Sequence, residues 1–291
     1  AVADAAIIVV SGKNGIEVGT KKAWEICEKY KLPHMIFVTN MDNDNASYRQ
    51  VVQDLQDMYG KCIAPFHLPV RENKEFVGYV NVLQQRAKRW TPHGTVEKMD
   101  LPEYSQKNLD ICRTALMEAV AETNEDFLER YFNGDEFSED EIRQSLRLHV
   151  ADGNIVPVLM GSNTSAHGIY TLMVDIIKYF PSPDKRSCSG INAKSNEIFN
   201  ADYDFSKPKS AYVWKTIADP FIGKYSLLKV CSGVIKSGDT LYNVEREEEL
   251  KIGKLYVLRG KDAIEVAELK AGDIGAVSKL SVTQTGDTMA V

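Results

Sequence analysis

The 291-residue chain contains no CxxC pair and no HxxxH or HExxH spacing. Its five cysteines (Cys27, Cys62, Cys112, Cys188 and Cys231) are scattered and odd in number. That pattern argues for reduced thiols in a cytoplasmic compartment, and against both a disulfide framework and a zinc site. The five histidines are equally dispersed, so no metal held by protein ligands alone is expected. There is no apolar run of spanning length and no basic-then-apolar leader, so neither a membrane span nor a signal peptide is expected. Excess positive charge is missing too. Against 41 Asp and Glu stand 35 Lys and Arg, a net charge of −6. No global positive field recruits nucleic acid, and any contact with RNA has to come from local patches. Neither DNA nor a membrane is an expected partner. No catalytic triad or cofactor fingerprint appears, so no residue is assigned a catalytic role.

What is present is ordinary for a soluble globular protein, with 44% hydrophobic and 26% charged residues. The length fits about two or three domains. The chain enters an apolar strand within a few residues of Ala1, as an excised piece of a longer protein would. Ala5 to Val10 is a continuous apolar run suited to a parallel strand buried on both faces. A loop, Gly12 to Gly19, leads to a helix over Thr20 to Tyr30, with Ala23, Trp24, Cys27 and Tyr30 at helical spacing and Lys31-Leu32-Pro33 as its end. His34 to Val38 is the next buried strand. A second helix, about Ala46 to Tyr59, buries Tyr48, Val51, Val52, Leu55, Met58 and Tyr59, and Gly60 stops it.

The character changes from about Ala64 to Ala151. Strand-like pieces (Ala64–Val70, Glu75–Asn81) lead to a basic stretch, Gln85 to Trp90. A long helical stretch follows from Pro102 to about Phe132, then another from Ser138 to about His149 that opens on a capping box. Between Glu118 and Glu141 ten carboxylates face Arg130 alone, which reads either as a solvated helix face or as a docking surface for a basic partner. Ile155 to Met160 returns to a buried strand, with a polar loop Gly161 to Ser165 and a helix from His167 to Phe180 behind it. The middle section is therefore an insertion into an α/β domain, which Pro181-Ser182-Pro183 closes. A polar linker runs to about Lys209. Ala211 to Val291 reads as short strands (211–217, 225–232, 239–243, 250–258 and 275–280) between Gly and Asp turns, the pattern of a small closed barrel.

The most informative stretch is Ile36-Phe37-Val38-Thr39-Asn40-Met41-Asp42. A buried strand ends in a polar turn carrying a carboxylate. Ligands of open α/β sheets sit outside the carboxyl ends of the strands, so Asp42 stands where a base could be read. The same residues also suit a turn that caps the next helix. A purine-nucleotide triphosphatase further needs GxxxxGK[ST], whose amides and Lys hold the phosphates while the hydroxyl holds Mg²⁺. The 291 residues contain no such motif. Gly15-Ile16-Glu17-Val18-Gly19-Thr20-Lys21-Lys22 misses in spacing, and a Thr stands where the Lys belongs. The DxxG element that contacts the γ-phosphate is absent as well. This chain alone is not expected to hydrolyse a nucleotide.

Taken together, the order of segments resembles translation elongation factor G, a translational GTPase. Ala3 to Val10 resembles the strand after that family's phosphate-sensing DTPGH loop. Ile36 to Asp42 resembles the strand and guanine-reading NKxD motif, with Asp42 in the place of its Asp. Val158-Leu159-Met160-Gly161-Ser162-Asn163 resembles the last nucleotide-contacting loop, usually GSA, whose backbone amide approaches guanine O6. Ala218-Asp219-Pro220-Phe221, Ser232-Gly233, Ser237-Gly238, Glu268 to Ala276 and Thr285-Gly286-Asp287-Thr288 are similar to the second-domain barrel. Two departures stand out. Thr39 and Asn40 replace the motif's Asn and Lys, and Asn163 replaces the usual Ala.

The resemblance implies an α/β fold: a partial P-loop-GTPase-type parallel sheet with an α+β insertion, followed by an all-β translation-factor barrel. It implies a partial G domain at residues 1–63 and 152–183, an inserted subdomain at 64–151, a linker at 184–210 and the barrel at 211–291. Thr39, Asn40, Asp42, Ser162 and Asn163 become the candidate nucleotide-binding residues, for GTP or GDP, with Mg²⁺ only in the intact protein. The implied activity is GTP hydrolysis coupled to movement of tRNA and mRNA, by a protein acting as a monomer. The ribosome is the implied partner, through rRNA and the stalk protein of the large subunit. The acidic insertion would face the stalk, and Lys224, Lys229 and Lys236 of the barrel could meet rRNA phosphates. Ribosome recycling, ribosome protection and a paralogue that docks without turnover remain open beside translocation.

Overall fold

The computed structural model describes residues 2–91, 95–182, 185, 188–193, 195–219 and 223–291. Ala1, Pro183 and Asp184 at the expected domain edges, and Pro220 and Phe221 of the barrel motif, lie outside the described residues. Two compact units result: Ala3–Pro181, and Ser182–Val291 together with Val2.

In the first unit β1 (Ala6–Ser11), α1 (Val18–Lys29), β2 (His34–Thr39) and α2 (Tyr48–Tyr59) alternate, and β3 (Ile63–Pro65) follows. A meander of β4 (His67–Glu72), β5 (Glu75–Asn81), β6 (Arg86–Trp90) and β7 (Val96–Met99) comes next. Three helices, α3 (Gln106–Ala121), α4 (Glu125–Asn133) and α5 (Glu139–Ala151), lead to β8 (Val156–Met160) and α6 (Ile169–Tyr179). The main sheet is parallel, in the order β1-β2-β8-β3, with Val10 beside Val38 and Val38 beside Met160. β2 is the apolar run Met35-Ile36-Phe37-Val38, buried throughout, as a central strand covered on both faces must be.

Helix α2 buries Tyr48, Val51, Val52 and Leu55, one face at helical spacing. The Ser47 hydroxyl caps it by accepting from Gln50 N at 3.4 Å, and Gly60 stops it at φ +82°. Tyr59 stacks on Trp24 at 3.8 Å, whereas Met58, expected inside, is 46% exposed. It lies a turn past Leu55, the last buried position of the helix.

Three features of the middle segment differ from the sequence expectation. The stretch from Ala64 to Val70 is two strands: Ile63–Pro65 pairs with β8 in the parallel sheet, and the antiparallel sheet β4-β5-β6-β7 begins only at His67. The expected boundary between residues 63 and 64 therefore falls inside β3. The basic stretch is strand β6, with Ala87 and Trp90 buried between more exposed Arg and Lys side chains. The helical stretch from Pro102 is broken, because the Asn124 side chain accepts from Phe127 N at 2.8 Å and starts α4 afresh. The Ser138–Glu141 capping box opens α5 as expected. β4 is keyed to α6 by a buried pair, His67 Nε2 and Asp175 Oδ2 at 3.4 Å. Burial raises the Asp175 carboxyl to about 7 and lowers His67 to about 3, favouring the uncharged form of each.

The second unit opens with a hairpin, β9 (Ser189–Ile191) and β10 (Ile198–Asn200), inside what reads as a polar linker. The rest is all β: β11 (Ser210–Asp219), β12 (Gly223–Ser232), β13 (Val234–Lys236), β14 (Thr240–Asn243), β15 (Glu248–Lys251), β16 (Leu255–Arg259), β17 (Asp262–Val266), β18 (Glu268–Lys270), β19 (Ile274–Ser278) and β20 (Thr288–Ala290). Eight of these form one antiparallel sheet in the order β15-β14-β20-β11-β12-β19-β16-β17, and β13 pairs with β18. Val213, Leu228, Val230, Ile235, Leu255, Val277 and Met289 share its core. Among the described residues no helix is long and apolar enough to cross a membrane.

Asp287 holds the turn before β20. Its buried carboxylate accepts from Asn243 Nδ2 at 2.9 Å, from Gln284 N at 2.8 Å, and from Arg246 at 3.1 and 3.2 Å. Burial pushes its pKa up, but the bonds from Arg246, Asn243 and Gln284 outweigh it and hold the carboxyl below the usual range. A depressed folded pKa means the stabilisation is present above the unfolded value, near 3.9, and is lost as pH falls through the folded one. Asp287→Ala should therefore destabilise this unit by about 2–3 kcal/mol at pH 7 in urea unfolding, with the difference from wild type shrinking in acid.

Candidate functional site

Because β2 and β8 are parallel neighbours, their carboxyl ends leave the sheet side by side. Gly161 N donates to Val38 O at 2.9 Å, and Met41 N donates to Gly161 O at 3.1 Å. Those two bonds join the loop after β2 to the loop after β8. Thr39 ends β2, Asn40 and Asp42 lie on the first loop, and Ser162 and Asn163 lie on the second, so all five candidate residues share one edge of the sheet.

The first loop is shaped locally. Asn40 sits in the left-handed region at φ +60°, which Asn tolerates far better than a bulky side chain does. Its carbonyl accepts from Asn43 N at 3.1 Å, closing a turn around Asp42. Ser47 N and Gly12 N then tie the loop to the end of β1, bonding Gly12 O at 2.9 Å and Thr39 O at 2.8 Å. In the second loop the buried Ser162 hydroxyl accepts from Thr164 N and Ser165 N, both at 3.2 Å, while Ser162 N donates to His167 O at 2.8 Å. Ser162 thus shapes the turn from within and offers no free group outward.

The three positions that depart from the family motifs engage one another. Asn163 Oδ1 accepts from Thr39 Oγ1 at 3.1 Å and from Asn40 Nδ2 at 3.3 Å. They form a polar bridge between the two loops, added to the backbone bonds.

Each loop offers an uncommitted group at this edge. Asp42 is exposed, and among the described residues its carboxylate has no hydrogen-bond donor. The backbone N–H of Asn163 likewise meets no acceptor among the described residues. The titratable group beside Asp42 is His167. Burial lowers its pKa, and the Asp42 charge and a bond to the Phe76 carbonyl only partly oppose that. A pKa below 6.5 leaves the imidazole neutral at pH 7, so it does not cancel the carboxylate. The site therefore presents a carboxylate double acceptor and an N–H donor on adjoining loops.

Three residues at this edge carry no motif signal. Arg71 of β4 donates from Nη2 to Met41 O and to Asn43 O, the latter at 3.2 Å. Trp90 of β6 stacks on His167 at 5.6 Å and 15°. The local pattern of each is an ordinary one, and only the tertiary fold brings them here. One expectation is overturned in the second unit. Lys229 is 3% exposed, its ammonium bonded to Val2 O at 2.8 Å and lying 4.9 Å from the Tyr203 ring centre, so it cannot meet an rRNA phosphate. Lys224 is partly buried and bonds Ser281 O and Thr283 O, whereas Lys236 is exposed and lies 3.7 Å from Glu268.

Comparison with known families places both units. Residues 1–182 match the model for the elongation factor Tu GTP-binding domain, and residues 208–291 match the model for elongation factor G domain 2. Among solved structures, a crystal structure of a protein from Thermus thermophilus superposes with a TM-score of 0.80 at 30% identity. The match covers 100% of this chain and 41% of that one, so the chain spans less than half the length of this relative.

The junction of the two loops leaves no room for a side chain at residue 161. A Cβ there would lie 2.3 Å from His167 O and 2.7 Å from Phe37 Cζ. Gly161→Ala should destabilise the first unit by about 1–3 kcal/mol, as forced overpacking does, measured by thermal or denaturant unfolding.

Proposed function

The chain belongs to the family of the elongation factor Tu GTP-binding domain, whose model covers more than half of it, and from that membership we propose that it carries the base-reading part of a guanine-nucleotide site in a ribosome-associated translational GTPase. The observation that carries this reading is the uncommitted Asp42 carboxylate beside the uncommitted Asn163 N–H. Guanine presents two adjacent donors, N1–H and N2–H, next to the O6 acceptor. Asp42 can accept the first two and the Asn163 amide can donate to the third. Adenine offers an acceptor at N1 and a donor at position 6, so it mismatches at both points. A bidentate contact of this kind is worth about 1–3 kcal/mol of discrimination.

In this reading Thr39, Asn40 and Ser162 hold the two loops in place and the ligand is GTP or GDP. Bound nucleotide would bring Mg²⁺ with its phosphates. These 291 residues contain no GxxxxGK[ST] for either, so phosphate and ion binding belong to the intact protein. Hydrolysis would be coupled to movement of tRNA and mRNA on the ribosome in the cytoplasm, with the protein acting as a monomer. The all-β unit is the part suited to rRNA contact, and the acidic helices α3 to α5 are the part suited to the stalk protein.

A second reading is favoured by the bridge among Thr39, Asn40 and Asn163. Asn40 lacks the long apolar stem with which the family's Lys covers the base. A paralogue that docks on ribosomes with weak or no turnover is consistent with that loss, as is a GTPase of ribosome recycling or protection. Binding of labelled GDP by the full-length protein, followed by phosphate release with and without ribosomes, separates these.

Asp42→Asn in the full-length protein should weaken GTP relative to xanthosine triphosphate by about tenfold to a hundredfold, because an amide cannot accept from both guanine donors. Competition binding with the two nucleotides measures this, and an unchanged ratio would remove Asp42 from base recognition. Residues 1–291 alone should release no phosphate from GTP above the uncatalysed background; measurable turnover by the purified chain would contradict the reading.

A further inference from the structure

Both loops of the candidate base site are fastened to the same element, the antiparallel sheet β4–β7. On one side Arg71 reaches from β4 to the carbonyls of Met41 and Asn43, the residues that flank Asp42. The arginine is itself braced. Its Nη1 donates to Lys74 O at 2.9 Å, its backbone N donates to Tyr104 Oη at 3.0 Å, and Tyr104 Oη donates back to Arg71 O at 2.7 Å. On the other side His167, whose carbonyl accepts from Ser162 N, packs flat on Trp90 at 5.6 Å and lies 6.2 Å from Phe76. The sheet cannot easily slide, since Tyr79 stacks on Trp90 at 5.0 Å and meets His67, which is paired with Asp175 of α6.

We infer that the inserted sheet sets the base selectivity of the site by fixing both base-reading loops, with Arg71 as the positioning residue for Asp42 and Trp90, through His167, as the positioning residue for the Asn163 loop. The inference rests on the base-reading role proposed for Asp42. The chemistry is particular to arginine. One guanidinium can serve two carbonyls of the Asp42 turn while bonding a third on its own hairpin, and a lysine ammonium has neither the fork nor the fixed plane. Because the guanidinium is aimed at carbonyls, it orders the turn and still leaves the Asp42 carboxylate without a hydrogen-bonded partner. A bidentate contact tolerates little misplacement, so a turn that opens part of the time reads the base part of the time.

Two measurements on one set of variants test this: wild type, Arg71→Ala, Arg71→Lys, Tyr104→Phe and Asp42→Asn. The first is amide hydrogen exchange on the chain without nucleotide. Arg71→Ala should speed exchange of the amides in residues 41–46 by about tenfold to a hundredfold, the loss expected for hydrogen bonds from a charged donor, with β11–β20 unaffected. Tyr104→Phe, which removes the brace and keeps the guanidinium, should give a smaller change in the same amides. It also serves if Arg71→Ala fails to fold. The second is the ratio of GDP to xanthosine diphosphate affinity in the full-length protein, where Arg71→Ala should erode the preference for GDP and Arg71→Lys should erode it less. Unchanged exchange in residues 41–46 would overturn the clamp. A preference altered by Asp42→Asn and untouched by Arg71→Ala would overturn the positioning role and leave base reading by Asp42 standing. If Asp42→Asn itself leaves the preference unchanged, base reading fails and the inference falls with it.

Discussion

Gly161 donates to Val38 and accepts from Met41, and these two backbone bonds turn two separate strand ends into one platform. They follow directly on the last ladder pair, Val38 and Met160, so the loops are tied to the ends of the central strands. Bonds between strand ends cost no side-chain entropy, and here they are shielded by buried neighbours such as Phe37 and Ser162. The close approach also fixes the residue type. A glycine is required where a Cβ would meet His167 O and the Phe37 ring. Every side chain of the candidate site hangs from this junction: Thr39 and Asn40 just before it, Asp42 just after it, and Asn163 across it.

The electrostatics of that edge follow from which groups are spent on structure. Arg71 donates to carbonyl oxygens, His167 is kept neutral by burial, and the amides of Thr164 and Ser165 are used by the Ser162 hydroxyl. Among the described residues, the Asp42 carboxylate and the Asn163 N–H are left without a partner. A stray carboxylate on a strand tip is commonplace. One whose charged and polar neighbours are all turned elsewhere, beside an uncommitted amide, is a pattern that a ligand with two donors and an acceptor can complete. The Thr39–Asn163–Asn40 bridge follows the same logic. It joins the loops through the side chains of Thr39, Asn40 and Asn163, which are thereby spent on structure.

Much of this was legible in the sequence, for identifiable reasons. Met35 to Val38 and Val156 to Met160 are continuous apolar runs that end in polar turns and are buried on both faces as expected. The similar run in β1, by contrast, lies at the sheet edge and leaves Ile7 and Val9 exposed. The period of α2 and the capping box of α5 are local signals and appear where they are expected. The break at Asn124 was equally local but was masked by the helical residues on either side. Arg71, Trp90 and His167 were not legible. The bonds from Arg71 cross about thirty positions of chain, and a residue whose role is to fix another loop leaves no spacing to read. Lys229 was misleading for the opposite reason, since a lysine in an alternating strand gives no sign that its ammonium will be buried.

The position of the inserted sheet has a topological cause. β3 is parallel to β2 and β8, so its carboxyl end lies at the same edge as Asp42 and Asn163. Only Phe66 separates β3 from β4, and Phe66 N is still bonded to Val158 O at 3.0 Å. The chain therefore has no length in which to turn away, and β4 must emerge at the edge where the two loops sit. A parallel neighbour such as β8, however, has to be entered from the opposite end of the sheet, which requires a long crossover. Helix α3, packed on β3, and helix α5, packed on α6, supply that return. The segment from residue 66 to residue 155 is in this sense one enlarged crossover, whose outgoing half is delivered to the candidate base site and whose helices carry the chain back. The contact of Arg71 with the Asp42 turn then needs no separate docking event. It follows from the direction of a three-residue strand, and a change that loosened β3 against β8 would release the inserted sheet and both loops together.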